Sequence, residues 1–309
     1  MINRELIRIK IVQLVYAYYQ NGSKNMETAE KELFFSLSKA YDLYNHLLSL
    51  IVAVTAESRR RLEVLQAKAT REGTTPPPAR LAFNRFAVQL ENNRQLQEFV
   101  ETQKRTWADY AEFVGHLLEQ IEQSQIYQDY LESEDNYASD RELWRKLYKT
   151  LIQENPELDL LLEEQSLYWN DDKEVVDTFV MKTIKRFEEK NGSKQELLPE
   201  YDSEEEKDYA RKLFRASILN ADEYQRYMSE ASLNWDFSRL AYMDVIIMQI
   251  AIAEMLTFPT IPLSVTINEY VNLAKIYSTP RSYSYINGML DAIARHLIQL
   301  RRLTKQLEK

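Results

Sequence analysis

The chain has 309 residues, 45% of them hydrophobic and 28% charged, with five glycines, no cysteine and a net charge of −9. The missing cysteines exclude disulfides and thiolate metal sites, and so few glycines leave little material for the tight turns of a β-rich fold. The negative charge argues against indiscriminate nucleic-acid binding but is uneven: 59–85 holds seven basic and two acidic residues, 295–309 five and one, and 196–208 seven acidic residues and one lysine.

The first helix is expected over Asn3 to Gln20. Ile7, Ile11, Leu14, Val15 and Tyr18 fall on one face, and Arg4 and Arg8 extend the same stripe toward the N-terminus. Asn21-Gly22 stops it. This opening stretch has no long uncharged core and no small-residue cleavage site, so a signal peptide is not expected. A long helix follows from about Glu27 to Gln66, with Phe34, Leu37, Tyr41, Tyr44, Leu48, Ile51, Leu62 and Leu65 on alternating three- and four-residue steps. Gly73-Thr-Thr-Pro-Pro-Pro78 cannot continue a helix, and 67–79 reads as a linker or exposed loop. A second long helix, Leu96 to Leu131, carries an apolar side of Phe99, Trp107, Tyr110, Phe113 and Leu117. It is the expected antiparallel partner of the helix before the prolines.

An internal repeat appears next. The window 145–171 shares nine of 27 residues with 211–237 without a gap, including Arg145-Lys146-Leu147 with Arg211-Lys212-Leu213 and Trp169 with Trp235. Beyond it, Phe179, Val180 and Ile184 keep step with Val245, Ile246 and Ile250, whereas Lys182, Lys185 and Arg186 stand where the second copy has Met248, Ala251 and Ile252. The upstream copy, about 140–190, is expected to be a degenerate and more exposed version. Asn191 to Ser203 reads as a linker.

Three helices are expected at the C-terminal end. Ser238 to Leu256 is apolar on nearly every side, as a fully packed central helix is. Its most apolar run, Val245 to Ala253, is too short to span a bilayer, and a soluble cytoplasmic protein is expected. The next helix opens near Ser264 to Thr266; Thr266 and Glu269 have capping-box spacing, and Ser264 is an alternative cap. The last opens at Thr279-Pro280 and continues through Ile286, Met289, Ile293, Leu297 and Leu300. No glycine-rich phosphate loop can be built, and His46, His116 and His296 have no metal-ligand spacing. No cofactor is called for, and a binding protein rather than an enzyme is expected.

The run RLAYMDVIIMQIAIAEML, then VTINEYVNLAKIY, then SYINGMLDAIA resembles the transcription antitermination factor NusB family. The N-terminal stretch adds to the likeness, with Arg4 and Arg8 before Val12-Gln13-Leu14-Val15-Tyr16. The resemblance covers about 1–65 and 205–298. It implies an all-α bundle of two helical subdomains, here with N-terminal helices at 1–66, a long helical insertion at 67–203 and a C-terminal part at 204–309. It also implies binding of boxA-like single-stranded RNA from ribosomal RNA leaders. The partner it implies is the tenth small-subunit ribosomal protein, a member of the Nus complex, and the two act on RNA polymerase. Arg4 and Arg8 fall on family arginines that approach RNA, and Lys10 adds charge where Glu5 and Leu6 have thinned it. Tyr16 and Tyr285 match family aromatics, Tyr285 standing where a base can stack. Arg281 lies where the family is acidic, and Asp244 matches an acidic position linked to the ribosomal-protein contact. The same domain precedes the catalytic domain of some RNA cytosine methyltransferases, but no methyl-donor motif is present. A helical protein–protein scaffold without RNA binding is the alternative.

Overall fold

In the computed structural model, residues 1–21, 25–231 and 240–303 are described, and their regular structure is helical throughout. A lone parallel bridge joins Ile2 to Tyr201. The all-α expectation holds.

The chain begins with α1 (Arg4–Gln20), capped by the Asn3 side chain, which accepts from the Leu6 amide at 3.0 Å. It ends at Gln20, and Gly22 lies outside the described residues. The second helix, α2 (Met26–Glu72), runs past the expected end at Gln66. It stops only at Gly73, whose φ of +67° is a left-handed conformation that glycine adopts without strain.

The expected helix over 96–131 is instead several pieces. α3 (Arg85–Glu91) and α4 (Arg94–Thr102) are capped by Asn84 and Asn93. A short 3₁₀ turn opened by a Thr106–Asp109 capping box leads into α5 (Ala111–Gln123), and Ser124 caps α6 (Gln125–Glu132). Apolar spacing carried across these breaks, but each polar cap satisfies amides that a continuous helix would have bonded internally.

α7 (Tyr137–Leu147) ends in a π turn over Tyr148–Ile152, followed by α8 (Pro156–Gln165) and α9 (Lys173–Arg186). Then come α10 (Glu204–Leu219), α11 (Ala221–Ala231), α12 (Tyr242–Thr257), α13 (Leu263–Tyr277) and α14 (Ser282–Gln299). Shifted by 66 residues, the ranges of α7, α8 and α9 fall on α10, α11 and α12. Trp235 and Ser238 lie outside the described residues.

Two capping expectations fail. α13 and α14 have no side-chain cap bond. Thr266 is buried and turns its hydroxyl to Glu254, because that carboxylate needs donors in the core. Thr279 bonds the Ser282 hydroxyl instead of opening the helix, so α14 starts two residues beyond Pro280.

The chain divides into two compact units, Met1 with 38–200, and 2–37 with 201–309. In the first, Tyr44, Phe86, Trp144, Tyr148 and Phe187 are fully buried. His46 is stacked on Trp107 at 4.3 Å and Trp169 at 5.4 Å. The basic segment 59–85 is largely neutralised inside this unit. Arg59 pairs with Glu91, Arg60 with Glu57, Arg61 with Glu57 and Glu119, and Arg85 with Asp135 and Asp140.

The second unit is built around α12, which packs against α1, α10, α11, α13 and α14. Every residue from Ile246 to Met255 is buried, in keeping with the all-round apolar sequence. Each buried Ile, Leu or Met contributes roughly 1.5–3 kcal/mol.

Candidate nucleic-acid interface

The predicted RNA and partner residues all belong to the second unit. The structure places them at two ends of α1 and in two kinds of environment.

At the N-terminal end, Arg8 is interior, only 4% exposed. Its Nε and Nη2 donate to Glu254 at 2.8 and 3.1 Å, and its Nη1 lies 3.3 Å from Glu269. The hydroxyls of Tyr209, Thr266 and Tyr270 also donate to Glu254, itself fully buried. One carboxylate thereby ties together α1, α10, α12 and α13. Burial acts to push the Glu254 carboxyl up, but the hydrogen bonds and charge of Arg8, with the tyrosine and threonine hydroxyls, outweigh it and hold the pKa below the usual range. Burial likewise opposes the Arg8 charge, and Glu254 overcomes it, so the guanidinium pKa rises. Lys10 is buried too, at 1% exposure. Both side chains are withdrawn from solvent, where a phosphate cannot reach them. For Arg8 the physical reason is that the arginine stripe of α1 continues its apolar face into the core.

Arg4 reaches the surface. It lies 3.6 Å from Glu205 and 3.5 Å from Glu206, and stacks over the Tyr209 ring at 5.0 Å. The acidic first turn of α10, favoured there by the helix dipole, supplies these partners.

At the other end of α1, the picture is aromatic. Tyr16 meets Tyr242 edge-on at 5.8 Å, and the two remain 38% and 47% exposed. Gln13 donates to the Tyr277 hydroxyl at 3.0 Å, joining α1 to the end of α13. Two residues beyond Tyr242, Asp244 is buried and accepts from the hydroxyls of Ser278 and Ser282, the latter at 2.9 Å. Asp244 therefore fixes the turn between α13 and α14. Tyr285, half-buried on the first turns of α14, has its pKa raised by burial and then by the negative charge of Asp244. Arg281 is exposed at the same turn, and Lys275 stands 5.7 Å over the exposed ring of Tyr283.

The structure thus brings Tyr16, Asp244, Arg281 and Tyr285 to one end of the second unit, and Arg4, Arg8 and Lys10 toward the other. Sequence reasoning missed Glu254, Tyr242, Lys275 and Tyr283. A lone acid inside VIIMQIAIAEML was a signal for a buried partner, and Arg8 already stood on the core stripe of α1. Tyr242 sits in a helix whose sequence is apolar on nearly every side, and nothing in the spacing marks its exposure.

Among the described residues, no helix is long and apolar enough to cross a membrane, and no cluster of metal-ligating side chains occurs.

The NusB family model matches residues 178–295, from within α9 to near the end of α14. The transcription antitermination protein NusB of Salinibacter ruber is 33% identical over 132 residues, 41% of this chain and 82% of that protein. That of Chloroherpeton thalassium is 40% identical over 86 residues, 28% of this chain and 41% of the relative. That of Natranaerobius thermophilus is 43% identical over 82 residues, 26% and 59% respectively. In these last two comparisons the match spans less than two thirds of the relative. No solved structure matches. The all-helical second unit, the matched stretch and a relative aligned over four fifths of its own length together make this chain a member of the NusB family, longer than the typical members.

Proposed function

We propose that this chain is a transcription antitermination factor that works by binding, without catalysis, in the cytoplasm. It holds a boxA-like single-stranded RNA of ribosomal RNA leaders and the tenth small-subunit ribosomal protein, and through them acts on RNA polymerase. The observation that carries the reading is the exposed aromatic and cationic end of the second unit, where Tyr16, Tyr242, Tyr283 and Tyr285 lie with Lys275 and Arg281. Unstacked bases pair well with such rings, and flanking cations hold the phosphates. Arg4 extends phosphate contact at the far end of α1. Arg8 and Lys10 act from within, keeping α1 in place. Asp244 shapes the α13–α14 turn that the ribosomal protein engages, its carboxylate already occupied by two serines.

The pairing of Arg4 with Glu205 and Glu206 favours a second reading, a protein–protein scaffold that has lost RNA binding. Fluorescence anisotropy with a labelled boxA-like RNA and a scrambled RNA separates the two. Preference for boxA that is lost in the Tyr16→Ala/Tyr285→Ala variant supports the first. No preference for boxA over the scrambled RNA, with and without the ribosomal protein, overturns the boxA reading, and no binding of either RNA leaves the scaffold.

A further inference from the structure

The first unit carries exposed cations on two adjoining helices. α7 and α9 pack side by side. Tyr148 donates to Asp177 at 2.6 Å, and Arg141 donates to the Phe187 carbonyl at 2.6 Å. Early residues of one helix thus meet late residues of the other, so the pair is antiparallel. Lys182, Lys185 and Arg186, spaced as neighbours on one helical surface, are exposed on α9. Lys146 on α7 and Lys149 on the following π turn are exposed as well. None of these five forms an ion pair among the described residues. Of the acids around them, Glu142 pairs with Arg145 and Glu188 with Lys190, while Glu189 after α9 and Asp129 and Glu134 in the groove beside Lys146 form no ion pair among the described residues.

The counterpart helices 66 residues on differ in a telling way. Lys182, Lys185 and Arg186 correspond to Met248, Ala251 and Ile252, all fully buried within the second unit. Arg145 and Lys149 correspond to Arg211 and Arg215, and both of those pair with Glu30. In the first unit, the α9 positions have turned from core to charge, and Lys149 forms no ion pair among the described residues. A solvated face needs polar residues but not five unmatched cations in a chain of net charge −9. The helix dipole favours a cation in a last turn, which accounts for Lys185 and Arg186 but not for Lys182 in the preceding turn.

We propose that this α7–α9 face binds the phosphate backbone of a nucleic acid without reading its sequence. Flexible lysines spread over two helices suit a line of phosphates, each contact being a point charge. A protein partner would call for an apolar centre, and these five positions provide none. The face belongs to the first unit and the aromatic end to the second, and the proposal does not depend on the boxA reading.

The test uses the full chain and a 30-nucleotide oligouridine, which contains no boxA. Lys182→Glu/Lys185→Glu/Arg186→Glu is compared with Lys68→Glu/Arg71→Glu/Lys104→Glu. The second variant has the same net charge and alters exposed cations elsewhere in the first unit. The α9 variant is expected to bind on the order of tenfold more weakly, with the salt dependence of log K reduced by about 2, and the control to match the wild type. The corresponding glutamine variant, checked by circular dichroism, should show the same direction if folding is intact. Equal weakening in the control overturns the proposal, as does an unchanged α9 variant. So does an effect confined to phosphatidylserine vesicles or polyglutamate. Failure of the boxA site shows instead as loss of preference over scrambled RNA with oligouridine binding intact.

Discussion

Arg8 grips the Glu254 carboxylate with two parallel hydrogen bonds, Nε to Oε2 at 2.8 Å and Nη2 to Oε1 at 3.1 Å, inside the core of the second unit. A pair in this position stabilises mainly by not being broken, because either partner alone is a buried charge. Arg8→Ala and Glu254→Ala are each expected to cost on the order of 3–5 kcal/mol in urea denaturation. Arg4→Ala, at the partly exposed end of the same stripe, should stay within about 1 kcal/mol. A loss below that level for Arg8→Ala would contradict the structural role assigned to the pair.

Two buried groups set separate pH windows. Burial against Trp107 and Trp169 lowers the His46 pKa to about 4 from its ordinary 6.5. Below pH 6.5 the unfolded chain takes up a proton that the folded one refuses. The contribution is therefore full above 6.5 and is lost as pH falls toward 4, by roughly 3 kcal/mol. His46→Phe should flatten that part of a stability–pH curve. Glu254 works lower, since its folded pKa lies below the ordinary 4.5. Its contribution is present above 4.5 and disappears as pH drops beneath that value, and Glu254→Gln should remove only this later loss.

Asp244 anchors the start of α14 through Ser278 and Ser282. Asp244→Ala leaves both hydroxyls without their acceptor and should cost about 1–3 kcal/mol. Hydrogen exchange at the first amides of α14 should quicken, with α12 itself little changed. Uniform loss of protection across the unit would instead make Asp244 part of the core.

On the RNA side, Tyr16→Ala and Tyr285→Ala should each weaken boxA binding by about 1–3 kcal/mol, and the phenylalanine variants should bind nearly as the wild type. Arg281→Ala should lower the salt slope by about 0.7, the value for one contact with a single strand. Phenylalanine variants as weak as the alanine ones would assign these tyrosines a hydroxyl contact rather than stacking.

The helical class, the buried α12 and the family were legible because apolar periodicity and a motif spread over three helices are local properties of the chain. The breaks at Gln103–Thr106 and Ser124 were less so, since Phe99, Trp107 and Phe113 keep the apolar rhythm while Thr106 and Ser124 cap locally. The fate of Arg8 depended on Glu254, 246 residues away, and of Asp244 on serines more than thirty residues on. Whether a charge faces water or a partner of that separation is decided by packing that no short window contains. The 59–85 segment teaches the same lesson, because its positive charge is spent on acids as distant as Asp135 and Asp140.

The boundary between its units falls inside α2, after Leu37. A deletion of 67–200 would leave Leu43, Tyr44, Leu47, Ile51 and Val54 on a helix stripped of the residues that bury it in the first unit. Such a truncation should aggregate even if everything that remains of the family domain is sound. Excision from Ser38 to Glu200 leaves no such stripe, and it is the shortening most compatible with a soluble NusB-sized product.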